Sequence, residues 1–163
     1  MRVGVIDYGV GNLGSVIRAL EELSVKPVLV TRAVDLHTVD SLILPGVGNF
    51  ADCAKLLNDS GWVEPLRQEV HVASKPLLGI CLGMQLLATT SMEGIADNAS
   101  NGVVGLNFIP GRVENLRTLG CNLRIPHVGW NAVTSHTKVG GLFDGIPDGT
   151  DFYFVHSYVF VPD

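Results

Sequence analysis

A cysteine between two glycines is the part of this sequence best suited to chemistry. Cys81 lies in Gly79-Ile80-Cys81-Leu82-Gly83, after an apolar run typical of a strand and before a run typical of a helix. A sharp strand-to-helix turn exposes a nucleophile above a sheet, and flanking glycines let neighbouring backbone pass closely. The positive end of the helix also favours the thiolate, which is the form that attacks a carbonyl carbon. We therefore interpret Cys81 as a nucleophile, and the alternative is a buried structural cysteine.

A second glycine-rich segment could supply the hydrogen-bond donors that such a thiol needs. Pro45-Gly46-Val47-Gly48-Asn49-Phe50 follows the third apolar run of the chain. When a thiolate attacks an amide, backbone N–H groups must stabilise the oxyanion that forms. We expect one donor from Leu82, directly after the nucleophile, and another from Val47 or Gly48. The alternative is a plain loop between a strand and a helix.

The general base is harder to identify, because none of the five histidines has an evident catalytic setting. We expect His37 and His71 in or near surface helices, and His136 in a polar turn. His127 and His156 have apolar, strand-like surroundings, where a histidine is more often a hydrogen-bonded structural group than a catalyst. The residues therefore indicate a nucleophile without an evident base.

A third segment, Gly9-Val10-Gly11-Asn12-Leu13-Gly14, matches the dinucleotide-binding pattern G-x-G-x-x-G. An acid should close the second strand to hold the ribose, but Thr31-Arg32 stands there with Asp35 beyond it. Asp7 would also place a carboxylate beside the expected position of a pyrophosphate, and repulsion between the two negative charges disfavours dinucleotide binding. A tight turn and a nucleotide-binding module both remain open at this point.

The order of elements predicts an α/β fold with a mostly parallel sheet. Short apolar runs at 3–6, 27–30, 41–44 and 76–81 alternate with amphipathic stretches, which is typical of a parallel sheet covered by helices. Active sites of such sheets lie at the carboxyl ends of strands, so Asp7, Pro45-Gly46 and Cys81 should face one crevice. We expect mostly loop at 94–111, then antiparallel additions at 112–116, 125–130 and 151–161, the last as one long strand or as two strands joined at His156. No linker or repeat is visible, so we predict a single domain over residues 1–163.

Composition narrows the class of protein. The formal net charge is −5, and the absence of a run of Lys or Arg argues against a nucleic-acid surface. The three cysteines include no C-x-x-C pair, which argues against a zinc knuckle or a thioredoxin motif. No metal cluster is visible in the sequence, so we expect no metal in catalysis, and we expect no cofactor. We expect no membrane association, because no apolar run is long enough to span a bilayer. The cysteine usage and a first strand that begins at Val3, without a signal peptide, predict a cytoplasmic protein.

Five segments together resemble class I glutamine amidotransferases, and within them the glutaminase subunits of imidazole glycerol phosphate synthases. The segment Gly79-Ile80-Cys81-Leu82-Gly83-Met84-Gln85 is similar to the nucleophile segment of the whole class. The narrower resemblance covers essentially the whole chain and rests on Asp7-Tyr8-Gly9-Val10-Gly11-Asn12-Leu13, Leu44-Pro45-Gly46-Val47-Gly48-Asn49-Phe50, Ile125-Pro126-His127-Val128-Gly129-Trp130-Asn131 and Tyr153-Phe154-Val155-His156-Ser157-Tyr158.

The resemblance implies a flavodoxin-like three-layer fold and a complete set of roles. Cys81 attacks the side-chain amide of glutamine, ammonia leaves, and the glutamyl thioester is hydrolysed to glutamate. The ammonia passes to a (β/α)₈-barrel cyclase, which uses it to make imidazole glycerol phosphate in histidine biosynthesis. The implied residues are Val47, Gly48 and Leu82 for the oxyanion, Gln85, Glu93, Ser157 and Tyr158 for glutamine, and Asn12, Pro126, His127 and Trp130 for the cyclase face.

One departure from this family concerns the catalytic base. The resemblance implies a His and a Glu in a later His-Pro-Glu segment, whereas His156 belongs to an earlier His-Ser-Tyr motif, and the sequence ends at Asp163. We therefore expect these 163 residues by themselves not to hydrolyse glutamine, since loss of a general base costs about 10²–10⁴ in rate. The alternatives are a nucleotide-binding module that uses Gly9–Gly14 and a non-catalytic interaction subunit.

Overall fold

The computed structural model describes residues 1–95, 102–135 and 141–163. They form two compact units, one of Met1–Glu114 with Phe160–Asp163 and one of Asn115–Val159. Each unit is described by itself below. The single domain over residues 1–163 stays a prediction.

The first unit is built on a four-stranded parallel sheet. Its strands are β1 (Val3–Ile6), β2 (Pro27–Val30), β3 (Ser41–Gly46) and β4 (Leu77–Cys81), in the order β2-β1-β3-β4. All three pairings are parallel, and the register aligns Gly46 at the end of β3 with Cys81 at the end of β4. The apolar runs of the sequence therefore form the predicted sheet, and the predicted fold class is confirmed.

Four α-helices follow the strands: α1 (Leu13–Glu22), α2 (Phe50–Asp59), α3 (Val63–Arg67) and α4 (Leu82–Gln85). The first two begin at asparagines whose side chains accept backbone N–H bonds, Asn12 from Ser15 and Asn49 from Ala51 and Asp52. A 3₁₀ stretch (Ala33–Thr38) precedes β3, and a π-helical turn (Gln68–Val72) continues α3. The part of the chain directly before β4 thus contains a short α-helix with a π extension.

The core of this unit lies around β1, β3 and the inner faces of α2, α3 and α4. Its largest fully buried side chains include one aromatic ring and a layer of branched aliphatic groups: Phe50, Ile6, Leu36, Leu42, Leu44, Leu57, Leu66, Leu86, Val5 and Val30. Burying such side chains is the main term that favours folding. This packed core supports the carboxyl ends of β3 and β4.

A second, smaller sheet has the strand order β10-β7-β5-β6. It consists of β5 (Thr90–Ser91), β6 (Val103–Val104), β7 (Gly111–Asn115) and β10 (Tyr158–Pro162). The β5–β6 pairing is antiparallel, whereas β7, predicted at 112–116 as an antiparallel addition, runs parallel to β5. The expected loop at 94–111 therefore contains one short strand, and its residues 96–101 lie outside the described part.

The second unit is centred on an antiparallel pair, β8 (His127–Val133) and β9 (Thr150–His156). Since β9 ends at His156 and β10 begins at Tyr158, the two-strand alternative for the long apolar stretch is confirmed. One face of the pair exposes four apolar side chains: Val128, Trp130, Tyr153 and Val155. Alternation along two paired strands places all four on the same side.

Candidate active site

Cys81 is the last residue of β4 and the residue before α4, as the sequence predicts. Its backbone has φ 56° and ψ −119°, a conformation that non-glycine residues rarely adopt. Such strain costs on the order of 1–3 kcal/mol and persists where the surrounding structure enforces it. The side chain is exposed and carries a free thiol. This geometry is that of a nucleophile elbow, with sulfur as the nucleophile.

The two glycines that flank the elbow allow close backbone contacts. A Cβ on Gly83 would lie 1.9 Å from the Leu44 carbonyl oxygen, and a Cβ on Gly79 would lie 2.4 Å from the Cα of Met84. Real Cβ atoms essentially never come this close to backbone. The missing side chains therefore allow α4 to lie directly on β3 and β4, which forces the sharp turn at Cys81.

The glycine-rich turn after β3 lies beside the elbow. Gly46 is the register partner of Cys81, and Val47 and Gly48 follow it directly. Gly48 has φ +96°, and nothing lies within 4 Å of a Cβ built on it, so the turn borders open space. Leu82 is the first residue of α4, whose N–H has no partner within the helix. The structure thus brings the three expected oxyanion residues to the end of the sheet where Cys81 is exposed.

The turn is anchored at its far end by a carboxylate. The Phe50 backbone N–H donates to Glu93 Oε2 at 3.0 Å, and the Glu93 N–H donates to Ser91 Oγ at 3.0 Å. Burial raises the pKa of Glu93, and the hydrogen bond from Phe50 partly offsets this. Gly94 packs against the same end of α2, because a Cβ there would lie 2.6 Å from Asn49 Oδ1. Glu93, expected to hold glutamine, therefore also stabilises the start of α2.

Behind the turn lies a residue that the sequence analysis missed. Cys53 is on the buried face of α2, and its thiol donates to the Val47 carbonyl oxygen at 3.5 Å. Tyr8 is 4% exposed, and its hydroxyl has no hydrogen-bond partner within the described residues. Burial, with a smaller effect of the neighbouring Cys53, raises the pKa of Tyr8. The sequence does carry a signal for this position, since Phe50, Cys53 and Leu57 recur at the spacing of one helix face.

The remaining substrate residues have mixed positions. Gln85 is half-buried at the end of α4 and belongs to the first unit. The Ser157 carbonyl accepts the Leu116 N–H at 2.9 Å, and Tyr158 begins β10. The roles of these residues in holding glutamine stay predictions.

The residues expected on the cyclase face also have defined positions. Asn12 caps α1. Pro126 follows a cis peptide bond directly before β8. His127 and Trp130 lie on β8, and the Trp130 side chain is 69% exposed. Their contact with a partner stays a prediction.

His127 and His156 are directly paired across β8 and β9, with the Nδ1 of His127 2.9 Å from the Nε2 of His156. The His156 Nδ1 donates to the Tyr158 carbonyl at 3.1 Å, which leaves its Nε2 to accept from His127 when His156 is neutral. The His127 Nε2 lies 2.8 Å from Asn131 Oδ1. Both histidines are therefore hydrogen-bonded within the second unit, as structural histidines are.

Two of the other histidines lie at the surface of the first unit. His37 is exposed in the 3₁₀ stretch, with Nδ1 2.6 Å from the Val34 carbonyl oxygen. His71 packs edge-on against Phe108 with ring centroids 5.0 Å apart. The predicted turn position of His136 lies outside the described residues.

The Gly9–Gly14 loop has the geometry of a tight turn. Asp7 Oδ1 accepts the Gly9 N–H at 3.0 Å. This N–H, which a pyrophosphate would need as a donor, is therefore already bound to a carboxylate. A Cβ on Gly11 would lie 3.1 Å from Pro45, so this glycine allows close packing on the neighbouring strand end. Asp35, the nearest acid for a ribose, binds the Arg32 guanidinium at 2.7 and 2.9 Å. No observation favours the nucleotide-binding alternative.

Within the described residues, no group of three or more His, Cys, Asp and Glu side chains is arranged to hold a metal ion. None of the helices in that same part of the chain is both long and apolar enough to cross a membrane.

Comparisons with known proteins show which proteins this chain is similar to. The family model for class-I glutamine amidotransferases matches residues 4–163. The imidazole glycerol phosphate synthase subunit HisH of Moorella thermoacetica is 46% identical over 160 residues, which cover 98% of this chain and 71% of that protein. Subunit HisH 1 of Campylobacter jejuni strain RM1221 is 43% identical over 157 residues, or 96% of this chain and 74% of that protein.

Solved structures show the same fold at low identity. A glutamine amidotransferase crystal structure superposes with a TM-score of 0.70 at 23% identity and covers 97% of this chain and 72% of that one. A glutamine amidotransferase from Thermotoga maritima gives 0.57 at 19% identity, with 99% of this chain and 63% of that one covered. Since the family model spans nearly the whole chain and close relatives cover it at more than 40% identity, the chain belongs to the class-I glutamine amidotransferase family.

Proposed function

We propose that this protein is the glutaminase subunit of an imidazole glycerol phosphate synthase. It hydrolyses glutamine to glutamate and delivers the ammonia to a (β/α)₈-barrel cyclase, in the cytoplasm. The observation that carries the proposal is the strained, exposed Cys81 at the end of β4, next to the glycine-rich turn after β3. The similarity to HisH subunits from several bacteria supports the choice of pathway.

The chemistry follows from the placement of these groups. The Cys81 thiolate attacks the carbonyl carbon of the glutamine side-chain amide, and the carbonyl π-electron pair moves onto oxygen. The N–H groups of Leu82 and of Val47 or Gly48 stabilise that oxyanion, a contribution worth about 10²–10³ in rate for each donor. When the intermediate collapses, the C–N bond breaks and the nitrogen leaves as ammonia after it receives a proton. Water then cleaves the thioester, which releases glutamate and restores the thiol.

Glutamine itself is held, in this proposal, by Gln85, Glu93, Ser157 and Tyr158. Because the Glu93 carboxyl group accepts the Phe50 N–H at the start of α2, it connects the proposed glutamine site to the oxyanion turn. The general base is a histidine oriented by a carboxylate, as thiol hydrolases require.

The test is the removal of the Cys81 sulfur from the full-length protein in complex with its cyclase. Cys81→Ala should abolish glutamate release and glutamine-dependent cyclisation, because the nucleophile is gone. Cyclisation driven by added ammonium salt should continue, since it needs only the cyclase. Ordinary glutamate release by the Cys81→Ala complex would overturn the proposal, and Cys121→Ala is the control for loss of a thiol outside the elbow.

A further inference from the structure

We infer that Cys53 is a positioning residue for the oxyanion turn, because its thiol holds the Val47–Gly48 peptide from the buried side. This inference rests on the proposed glutaminase function. It assigns a role to a cysteine that neither touches the substrate nor takes part in the thioester chemistry.

The first support is the direction of the peptide. The Cys53 thiol lies 3.5 Å from the Val47 carbonyl oxygen, so this oxygen points into the core toward α2. A peptide unit is planar and trans, so its N–H points opposite to its carbonyl. The Gly48 N–H therefore points away from Cys53, to the open side of the turn. We infer that the Gly48 N–H is the second oxyanion donor, so rotation of this peptide would replace that N–H by the Val47 carbonyl oxygen.

The second support is that few other groups among the described residues restrain this peptide. Gly48 has φ +96° and open space around it, and glycine has more backbone freedom than any other residue. Neighbouring groups hold the chain further on, at Phe50 through Glu93 and at the start of α2 through Asn49. The hydrogen bond from Cys53 is thus a side-chain contact that acts directly on the peptide next to Gly48.

The third support is the state of the thiol. Cys53 is 2% exposed, and burial raises its pKa, so it keeps its proton and remains a donor at neutral pH. Tyr8 is a buried neighbour of Cys53, so the sulfur lies among buried groups. A buried, protonated and confined thiol suits a fixed donor and does not suit a second nucleophile.

Two variants of the full-length protein, in complex with its cyclase, separate hydrogen bonding from packing. Cys53→Ala removes the donor and little volume, whereas Cys53→Ser keeps a donor of similar size. We expect Cys53→Ala to lower kcat for glutamine hydrolysis about three- to tenfold, the effect of one ordinary hydrogen bond, with KM within about twofold. Cys53→Ser should keep kcat within about twofold of the wild type.

A second reaction of Cys81 shows whether the effect passes through the oxyanion. Iodoacetamide alkylates the Cys81 thiolate by displacement of iodide at a saturated carbon, so no oxyanion forms. The alkylation rate at Cys81, measured by mass spectrometry, should be the same in wild type, Cys53→Ala and Cys53→Ser. A general loss of structure would slow or speed both reactions, whereas a mispositioned turn slows only hydrolysis.

The inference is supported if kcat falls in Cys53→Ala alone while the alkylation rate of Cys81 stays constant. An unchanged kcat in Cys53→Ala, an equal loss in both variants, or a parallel change in alkylation overturns it. A wild-type complex that does not hydrolyse glutamine would instead contradict the proposed function itself.

Discussion

At the scale of single residues, Cys81 shows what the sequence could and could not reveal. The glycine spacing predicted a thiol on a strand-to-helix turn, and the structure confirms that position with φ 56°. The glycines and the cysteine of this motif do not reveal which residues from elsewhere in the sequence pack around the site. Cys53 and Tyr8 lie about 45 positions apart in the sequence, and only packing brings a thiol and a buried hydroxyl together behind Val47.

Glu93 is a second residue whose surroundings determine its behaviour. Its pKa lies above the ordinary value of 4.5 because the carboxyl is partly buried. The folded state therefore binds the Glu93 proton more tightly than the unfolded state does. Stability falls as pH rises from about 4.5 through the raised pKa, because ionisation costs more in the folded state.

Replacement of Glu93 by glutamine tests this. Glu93→Gln keeps an acceptor for the Phe50 N–H but cannot ionise. The variant should therefore lack the decrease in unfolding free energy with pH that Glu93 causes in the wild type. Urea unfolding at a series of pH values from about 4 to 8 measures the difference between variant and wild type. The difference in unfolding free energy between the variant and the wild type should increase with pH over that range. A difference that stays constant with pH would contradict a raised pKa for Glu93.

At the scale of elements, the site depends on how closely α4 lies on β3 and β4. Gly46, Gly79 and Gly83 are close to backbone of the facing element, with hypothetical Cβ contacts of 1.9 to 2.6 Å. Sequence periodicity predicted the strand and the helix, but it carries no information on the distance between them. These three positions are glycine because a side chain would prevent this close contact between α4 and the strands.

A pair of Gly→Ala variants tests this contact. Gly83→Ala places a methyl group 1.9 Å from the Leu44 oxygen and should lower the free energy of unfolding by about 3 kcal/mol or more, or prevent folding. Gly14→Ala is the matched control, because its Cβ meets only the flexible end of Arg18 at 3.7 Å within α1. It should raise the free energy of unfolding by about 0.5–1 kcal/mol. Equal effects of the two variants in urea unfolding would contradict the packing argument.

At the scale of the whole molecule, the second unit carries the exposed apolar face. Trp130 and Tyr153 lie side by side on it with ring centroids 5.4 Å apart, between Val128 and Val155. Large aromatic groups at the surface of a soluble unit are typical of interfaces. This agrees with the cyclase-facing role that the resemblance implies for Trp130, which stays a proposal.

Trp130→Ser tests that role. Since the side chain is 69% exposed, the free energy of unfolding should change by less than about 0.5 kcal/mol. The dissociation constant of the complex with the cyclase should rise about 30-fold, the effect expected for an aromatic hot spot. Val34→Ser, at a 67% exposed position outside the assigned face, is the control and should leave the constant unchanged. Isothermal titration of both variants measures this, and equal affinities would contradict an interface at Trp130.

The sequence by itself determined the parallel α/β core, the family, the nucleophile and the segment for the oxyanion, because these depend on local periodicity and on motifs of a few residues. Only the tertiary structure decided that Gly46 lies beside Cys81, that α4 rests on bare backbone, and that Cys53 holds the Val47 carbonyl. It also showed that His127 and His156 are hydrogen-bonded to each other. These features depend on strand register and on distances between remote segments, which no local pattern encodes.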